Sequence, residues 1–289
     1  MKNILTMTML ATLAAIPVRA QERTSIPFRN PSMPRQLVVD AILGSIEVTG
    51  YNGQEVIIES SRDGNAARAP RGRERTPVPP GMRRIGGSDA GLDVTEDNNI
   101  VRISSGWFAA PVDIKVQVPV QTSVRVTAVA GRHVQIENVN GEVEVQNANG
   151  EVNITNVSGS VVANSMNGKV TVSLNGVAAD KPMSFSTMNG DIDVTLPANT
   201  KANLMMKTNS GDIFTDFDVQ INTAARATTG NTKGKSFPNT FPGIGNGIGT
   251  GIGNGHWVIG GQGTAGTING GGPEIQFTSF RGNILIHKK

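Results

Sequence analysis

The chain has 289 residues, 37% of them hydrophobic and 4% aromatic, with no cysteine and a formal charge of +3. The missing cysteine excludes disulfides, thiolate metal sites, cysteine nucleophiles and a lipid-anchored N-terminus. Without Lys2 and Arg19 the balance is 24 − 23 = +1, so the basic pI is no electrostatic reason to expect nucleic acid.

Met1 to Ala20 reads as a secretory signal peptide. Lys2 precedes an apolar run from Ile4 to Ile16, Pro17 breaks it, and Val18-Arg19-Ala20 places small or branched residues at −3 and −1, which predicts cleavage before Gln21. Export is therefore expected, to the periplasm, the cell surface or the medium. The run is too short and too interrupted by threonines for a membrane anchor, and no later segment is long and apolar enough to span a bilayer.

Residues 21–36 form an N-terminal extension, and a single β domain is expected from 37 to 289. Its first strands are Leu37-Val38-Val39 and Val56-Ile57-Ile58, read as the N-terminal cap, with an early repeat unit at Gly44-Ser45-Ile46-Glu47-Val48. Residues 62–91 hold seven arginines among prolines and glycines, a composition expected to be a disordered insertion. From Pro111 to Thr215 apolar and polar residues alternate, the period of strands with one buried face.

Within that stretch Gly141, Gly150, Gly159 and Gly168 each open a Gly-x-Val unit, nine residues apart. Longer connections lead to Gly190-Asp191-Ile192 and Gly211-Asp212-Ile213, and the pattern returns at Gly282-Asn283-Ile284. Asn or Ser commonly precedes these glycines, marking turns where positive φ is tolerated. An antiparallel meander and a solenoid can both be built from such units. The 18-, 22- and 21-residue spacings of Gly150, Gly168, Gly190 and Gly211, with loops of variable length, favour a single-stranded parallel β-solenoid with coils of about 18–22 residues. Asn149, Asn167 and Asn189 then form a structural amide ladder, as do Asn138, Asn147 and Asn156. Residues 241–272, uncharged and dense in glycine, are expected to be a flexible loop before closing strands at Ile275-Gln276-Phe277 and Ile284-Leu285-Ile286.

These residues resemble the bacterial "putative adhesin" domains of unknown function. The resemblance is carried by Leu37-Val38-Val39, Gly44 to Val48, Val116-Gln117-Val118-Pro119, Val139 to Val145 and above all Ser184 to Pro197, followed one coil later by Thr208-Asn209-Ser210-Gly211-Asp212-Ile213. It extends to the closing Gly270-Gly271-Gly272-Pro273 and Gly282 to Ile286, covering roughly 37–60 and 92–289. It implies a right-handed parallel β-helix in the cell envelope and an adhesin-like role, and brings no catalytic motif and no cofactor. The arginine insertion departs from the family's usual pattern.

Parallel β-helices also carry polysaccharide lyases and glycosidases, so Asp191, Asp193 and Asp212, near Asp216 and Asp218, are candidates for an acid/base pair or a cation site. Glu142 and Glu151 occupy the same slot after their glycines, which points instead to a position set by the repeat. His133, His256 and His287 lack metal-ligand spacing. Arg68, Arg71, Arg73, Arg75, Arg83 and Arg84 are the candidate contact surface for phosphates, uronic acids or lipid headgroups. Trp257, beside His256, has a face suited to a sugar ring, but an anchor fixing its loop to the solenoid is the preferred reading. The leading expectation is a non-enzymatic rod that binds an anionic surface polysaccharide or an envelope protein, or self-associates. A carbohydrate-active enzyme and a periplasmic envelope-stress sensor module are the rivals.

Overall fold

The computed structural model describes residues 22–30, 32–62, 92–105, 111–221 and 263–289. The period-two pattern becomes strands throughout. In order they are β1 (Glu22–Pro27), β2 (Arg35–Tyr51), β3 (Glu55–Arg62), β4 (Leu92–Asp97), β5 (Ile100–Ser105), β6 (Val112–Pro119), β7 (Thr122–Glu137), β8 (Asn140–Asn149) and β9 (Glu151–Asn167). There follow β10 (Val170–Val177), β11 (Met183–Asn189), β12 (Ile192–Leu196), β13 (Ala202–Ser210), β14 (Ile213–Thr215), β15 (Gln220–Ile221), β16 (Thr264–Ile268), β17 (Glu274–Arg281) and β18 (Ile284–Lys288).

The fold is all-β and solenoid-like, because successive units pair in parallel. Each coil has two legs, and in all but the first a glycine corner joins them. The first legs stack as one face: β5, the start of β2, the start of β7, β8, the end of β9, β11, β17 and β13. The second legs stack as the other: β6, the end of β2, the end of β7, the start of β9, β10, β12, β18 and β14. Among the described residues this makes eight coils, numbered here along the stack: 1 (100–119), 2 (35–51), 3 (122–137), 4 (140–155), 5 (158–173), 6 (183–196), 7 (274–288) and 8 (202–215).

The order along the stack is not the order along the chain. Coil 2 lies between coils 1 and 3, and coil 7 lies between coils 6 and 8. Gly190 and Gly211 therefore share an edge as expected, but with Gly282 between them: a Cβ on Gly282 would lie 2.0 Å from the Gly190 carbonyl oxygen, and one on Gly211 would lie 2.1 Å from that of Gly282. Gly150 and Gly168 continue the same column, and Gly141 and Gly159 form the opposite one.

The stretches read from sequence as N-terminal cap and closing strands thus sit largely inside the stack. The ends are closed by strands that reverse direction. At one end β4 folds antiparallel onto β5 through a two-residue turn with Asn98 (φ 51) and Asn99 (φ 64), and β3 runs antiparallel to β6 with β1 beyond it. At the other, β16 runs antiparallel to β13 and β15 to β16. A parallel edge would template another parallel coil, and reversal or a strand as short as β14 removes that template. β1 lies in the expected N-terminal extension, and β16 in the stretch read as a loop.

Inside, branched side chains form columns: Val124, Val143, Val161, Met183, Ile275 and Leu204 on one face, Val134, Val152, Val170, Ile192 and Ile284 on the other, all buried. Phe185 and Phe277 stack at 5.3 Å in the middle of it.

Candidate functional site

The corner column explains much of the polarity that catalysis could have claimed. A polar residue points inward just before the corner in each of coils 4 to 8: Asn147, Ser165, Thr187, Ser279 and Thr208 in stacking order. Asn147 Nδ2 donates to the Gly150 carbonyl (2.8 Å), Thr187 Oγ1 to Gly168 (3.2 Å), Ser279 Oγ to Gly190 (3.3 Å) and Thr208 Oγ1 to Gly282 (3.0 Å). These bonds satisfy buried carbonyls at the turns.

Other polar side chains, Asp191 and Asn283 after their corner glycines among them, do the matching task for amides. Asp191 Oδ1 accepts from the Asn283 N–H (2.7 Å), Asn283 Oδ1 accepts from the Asp212 N–H (2.9 Å), and Asp113 Oδ1 accepts from the Ser45 N–H (2.8 Å). Asp216 Oδ1 accepts from the Lys288 N–H (2.6 Å). Coil 7 separates Asp191 from Asp212, so the two are not neighbours. Asp193 is flanked by Lys169 Nζ (2.8 Å) and His287 Nε2 (3.5 Å), and Glu47 in the same way by Lys115 Nζ (2.8 Å) and His133 Nε2 (3.7 Å). The Glu47 carboxylate, by hydrogen bond and charge, holds the Lys115 ammonium above the ordinary lysine value of 10.5. Among the described residues no group of three or more His, Asp or Glu could hold a metal.

Arg68, Arg71, Arg73, Arg75, Arg83, Arg84 and Trp257 lie outside the described residues. The candidate surface that the structure does describe is the outer side of the first-leg face. Directly after the inward column come Ile42, Val129, Ala148, Met166, Met188 and Phe280, one from each of coils 2 to 7, pointing outward in line along the axis. Val129 is 40% exposed and the rest are half-buried. At one strand spacing of about 4.8 Å per coil, the column is about 24 Å long.

Two polar columns flank it. On the corner side stand the predicted amides, linked as Asn189 Nδ2 to Asn167 Oδ1 (2.8 Å), Asn167 Nδ2 to Asn149 Oδ1 (3.1 Å) and Asn149 Nδ2 to the Val129 carbonyl (3.1 Å), with Arg281 next in register. Each amide spends one of its two N–H donors on the ladder. On the other side run Thr127, Gln146, Asn164, Ser186 and Thr278. Asn164, 8% exposed, accepts from Ser186 Oγ (2.5 Å) while its Nδ2 has no partner. An apolar rail between rows of hydrogen-bonding groups, repeated once per coil, is suited to holding an extended partner and not to moving protons.

The sequence reading found the amide row and missed the rail. Every member is the residue two before a corner glycine or its equivalent, a position that looks like strand interior until the register is known.

Residues 98–236 match the model of the family Toastrack DUF4097. No curated protein matches the chain. Among solved structures, a "putative cell adhesion protein" from Clostridium sporogenes is similar over 93% of this chain and 100% of its own, at 9% identity and a TM-score of 0.45. A "putative adhesin" from Bacteroides fragilis is similar over 94% and 99%, at 9% identity and a TM-score of 0.27.

Proposed function

We propose that the chain, whose residues 98–236 match the Toastrack DUF4097 family model, is a non-enzymatic, exported, adhesin-like protein of the cell envelope that binds a surface component along its first-leg face. The observation that carries this reading is the outward column Ile42, Val129, Ala148, Met166, Met188, Phe280 between two hydrogen-bonding rows. A contiguous, partly exposed apolar column on the outer side of a solenoid suits a contact surface. The coil is read as right-handed, because strand-to-parallel-strand crossovers are so in about 98% of cases.

The test is co-sedimentation of purified protein with envelope fractions, comparing wild type with Met166→Asp/Met188→Asp. Both side chains point outward, so the thermal midpoint should hold while binding falls at least tenfold. Equal binding by a folded variant overturns the reading. Deleting 62–84 measures the arginine surface separately, and its effect should fade with salt.

The enzyme reading is disfavoured by the use of Asp191 and Asp216 as amide acceptors. Release of reducing or unsaturated ends from acidic polysaccharides, abolished by Asp191→Ala/Asp212→Ala, would reinstate it.

A further inference from the structure

Coil 7 is held on both sides by coils that follow each other in the chain. On β11 it pairs Met183 with Ile275, Phe185 with Phe277 and Thr187 with Ser279; on β13 the same three residues pair with Leu204, Met206 and Thr208. The two walls of this slot are therefore equivalent at a constant offset of 21 residues, from Met183 and Leu204 through Thr187 and Thr208, Gly190 and Gly211, to Ile192 and Ile213. Only residues 197–201 connect them. Parallel strands with matching inward side chains, in matching register, can pair directly with each other. That direct stack of coil 8 on coil 6 is the order the 21-residue repeat spells.

The inserted segment reaches the slot as an arm. β16 runs along the outer edge of β13, the chain turns at Asn269 and Gly270-Gly271, all with positive φ, and β17 enters on the inner edge. The arm thus straddles β13. Should the arm leave, coils 6 and 8 can close behind it, whereas its buried Ile275, Phe277, Ile284 and Ile286 need another slot.

We propose that residues 264–288 are an exchangeable strand donor, and that the slot between coils 6 and 8 is an acceptor for the same arm of a second copy of this chain. Two copies would then be joined by strand addition, with the ladder supplying affinity and the inward side chains supplying register.

The cysteine-free full-length chain allows a clean test. Ser184, Gln276 and Met205 are outward neighbours in register on β11, β17 and β13. Ser184→Cys/Gln276→Cys in one chain should oxidise to an intramolecular disulfide, since adjacent strands bring the two Cα atoms within about 7 Å. The deciding experiment mixes Ser184→Cys chains with Gln276→Cys chains at high concentration under oxidising conditions. A disulfide-linked dimer at least tenfold above a Ser184→Cys plus Thr127→Cys control is expected. A yield no higher than the control, with the intramolecular pair fully oxidised, overturns the proposal. Ser184→Cys/Met205→Cys, two strands apart whenever an arm fills the slot, should form its bond only while the slot is empty and coil 8 rests on coil 6, which reports arm release separately from arm capture. None of these readouts depends on envelope binding, so failure here leaves the proposed function standing.

Discussion

Coils 3 to 6 and coils 2 and 7 have the same construction and opposite relations to the chain. In the middle coils each unit stacks on the one before it, and the nine-residue glycine step is read directly as geometry. At the two ends a coil from far along the sequence enters between neighbours: coil 2 between 1 and 3, coil 7 between 6 and 8. Both inserted coils are received alike. The amide just past the corner, Ser45 or Asn283, is bound by an aspartate of the coil before it, Asp113 or Asp191. The comparison teaches that a repeat encodes which residues may face each other, while the order of coils is set by which matched pairs the chain's connections allow.

If inserted and sequential coils pack equally well, their corner glycines should be equally intolerant. At Gly168 (φ 155) and Gly282 (φ 143) an added Cβ would lie only 2.0 Å from the carbonyl oxygen of the glycine in the neighbouring coil. Adding the strain of positive φ to overpacking, valine at either position should cost roughly 4 kcal/mol or more. Denaturant unfolding would read this, and a mild loss at Gly282 alone would mean that coil 7 is loosely seated. Gly176, whose nearest atom would be the Ser158 hydroxyl at 3.6 Å, is the tolerant control.

The aromatic pair sharpens the same comparison across one boundary, with Phe185 on sequential coil 6 and Phe277 on inserted coil 7. Both are fully buried, so alanine at either should cost about 3 kcal/mol. Because they stack on each other, the double variant should lose less than the sum. Strict additivity in thermal or denaturant melts would mean that the two coils do not share one core.

The caps come next. Asp113→Ala and Asp191→Ala each leave a backbone amide of an inserted coil without its acceptor, and about 1 to 2 kcal/mol should be lost in each case. Asparagine should recover most of it, because the side-chain oxygen remains. Wild-type stability in both alanine variants would show that these aspartates are surface ornaments of the repeat and not the fasteners of the insertions.

Strand content, parallel stacking, the two glycine edges and the Asn149, Asn167, Asn189 ladder were all readable, since each is local or repeats at fixed spacing. Coil order was not, because Ile275 and Leu204 are equally good neighbours for Met183 and only connectivity chooses. The spacing of Asn138, Asn147 and Asn156 also misled in one respect. Asn138 (φ 58) and Asn156 (φ 55) occupy left-handed corners, while Asn147 is buried inside the opposite edge. A nine-residue step carries a residue from one edge of the coil to the other. For the candidate site the outward rail went unseen for the same reason: Met166 and Met188 become partners only when register places them side by side.

The smallest effect concerns the charged columns beside the insertions. Lys115 and His133 flank Glu47 of coil 2, and Lys169 and His287 flank Asp193 next to coil 7. The Lys115 side chain is 55% exposed, so its pair with Glu47 should contribute less than about 1 kcal/mol. The sign is fixed by its raised pKa. Folding favours the ammonium, so the contribution is complete below the ordinary lysine value and is lost as pH climbs through the higher folded value. The stability difference between wild type and Lys115→Met should therefore stay constant from neutral pH to about pH 10 and vanish in stronger alkali, while added salt should shrink it at every pH. A difference that persisted unchanged above that range would assign the loss to the methylene stem of Lys115 and not to its charge.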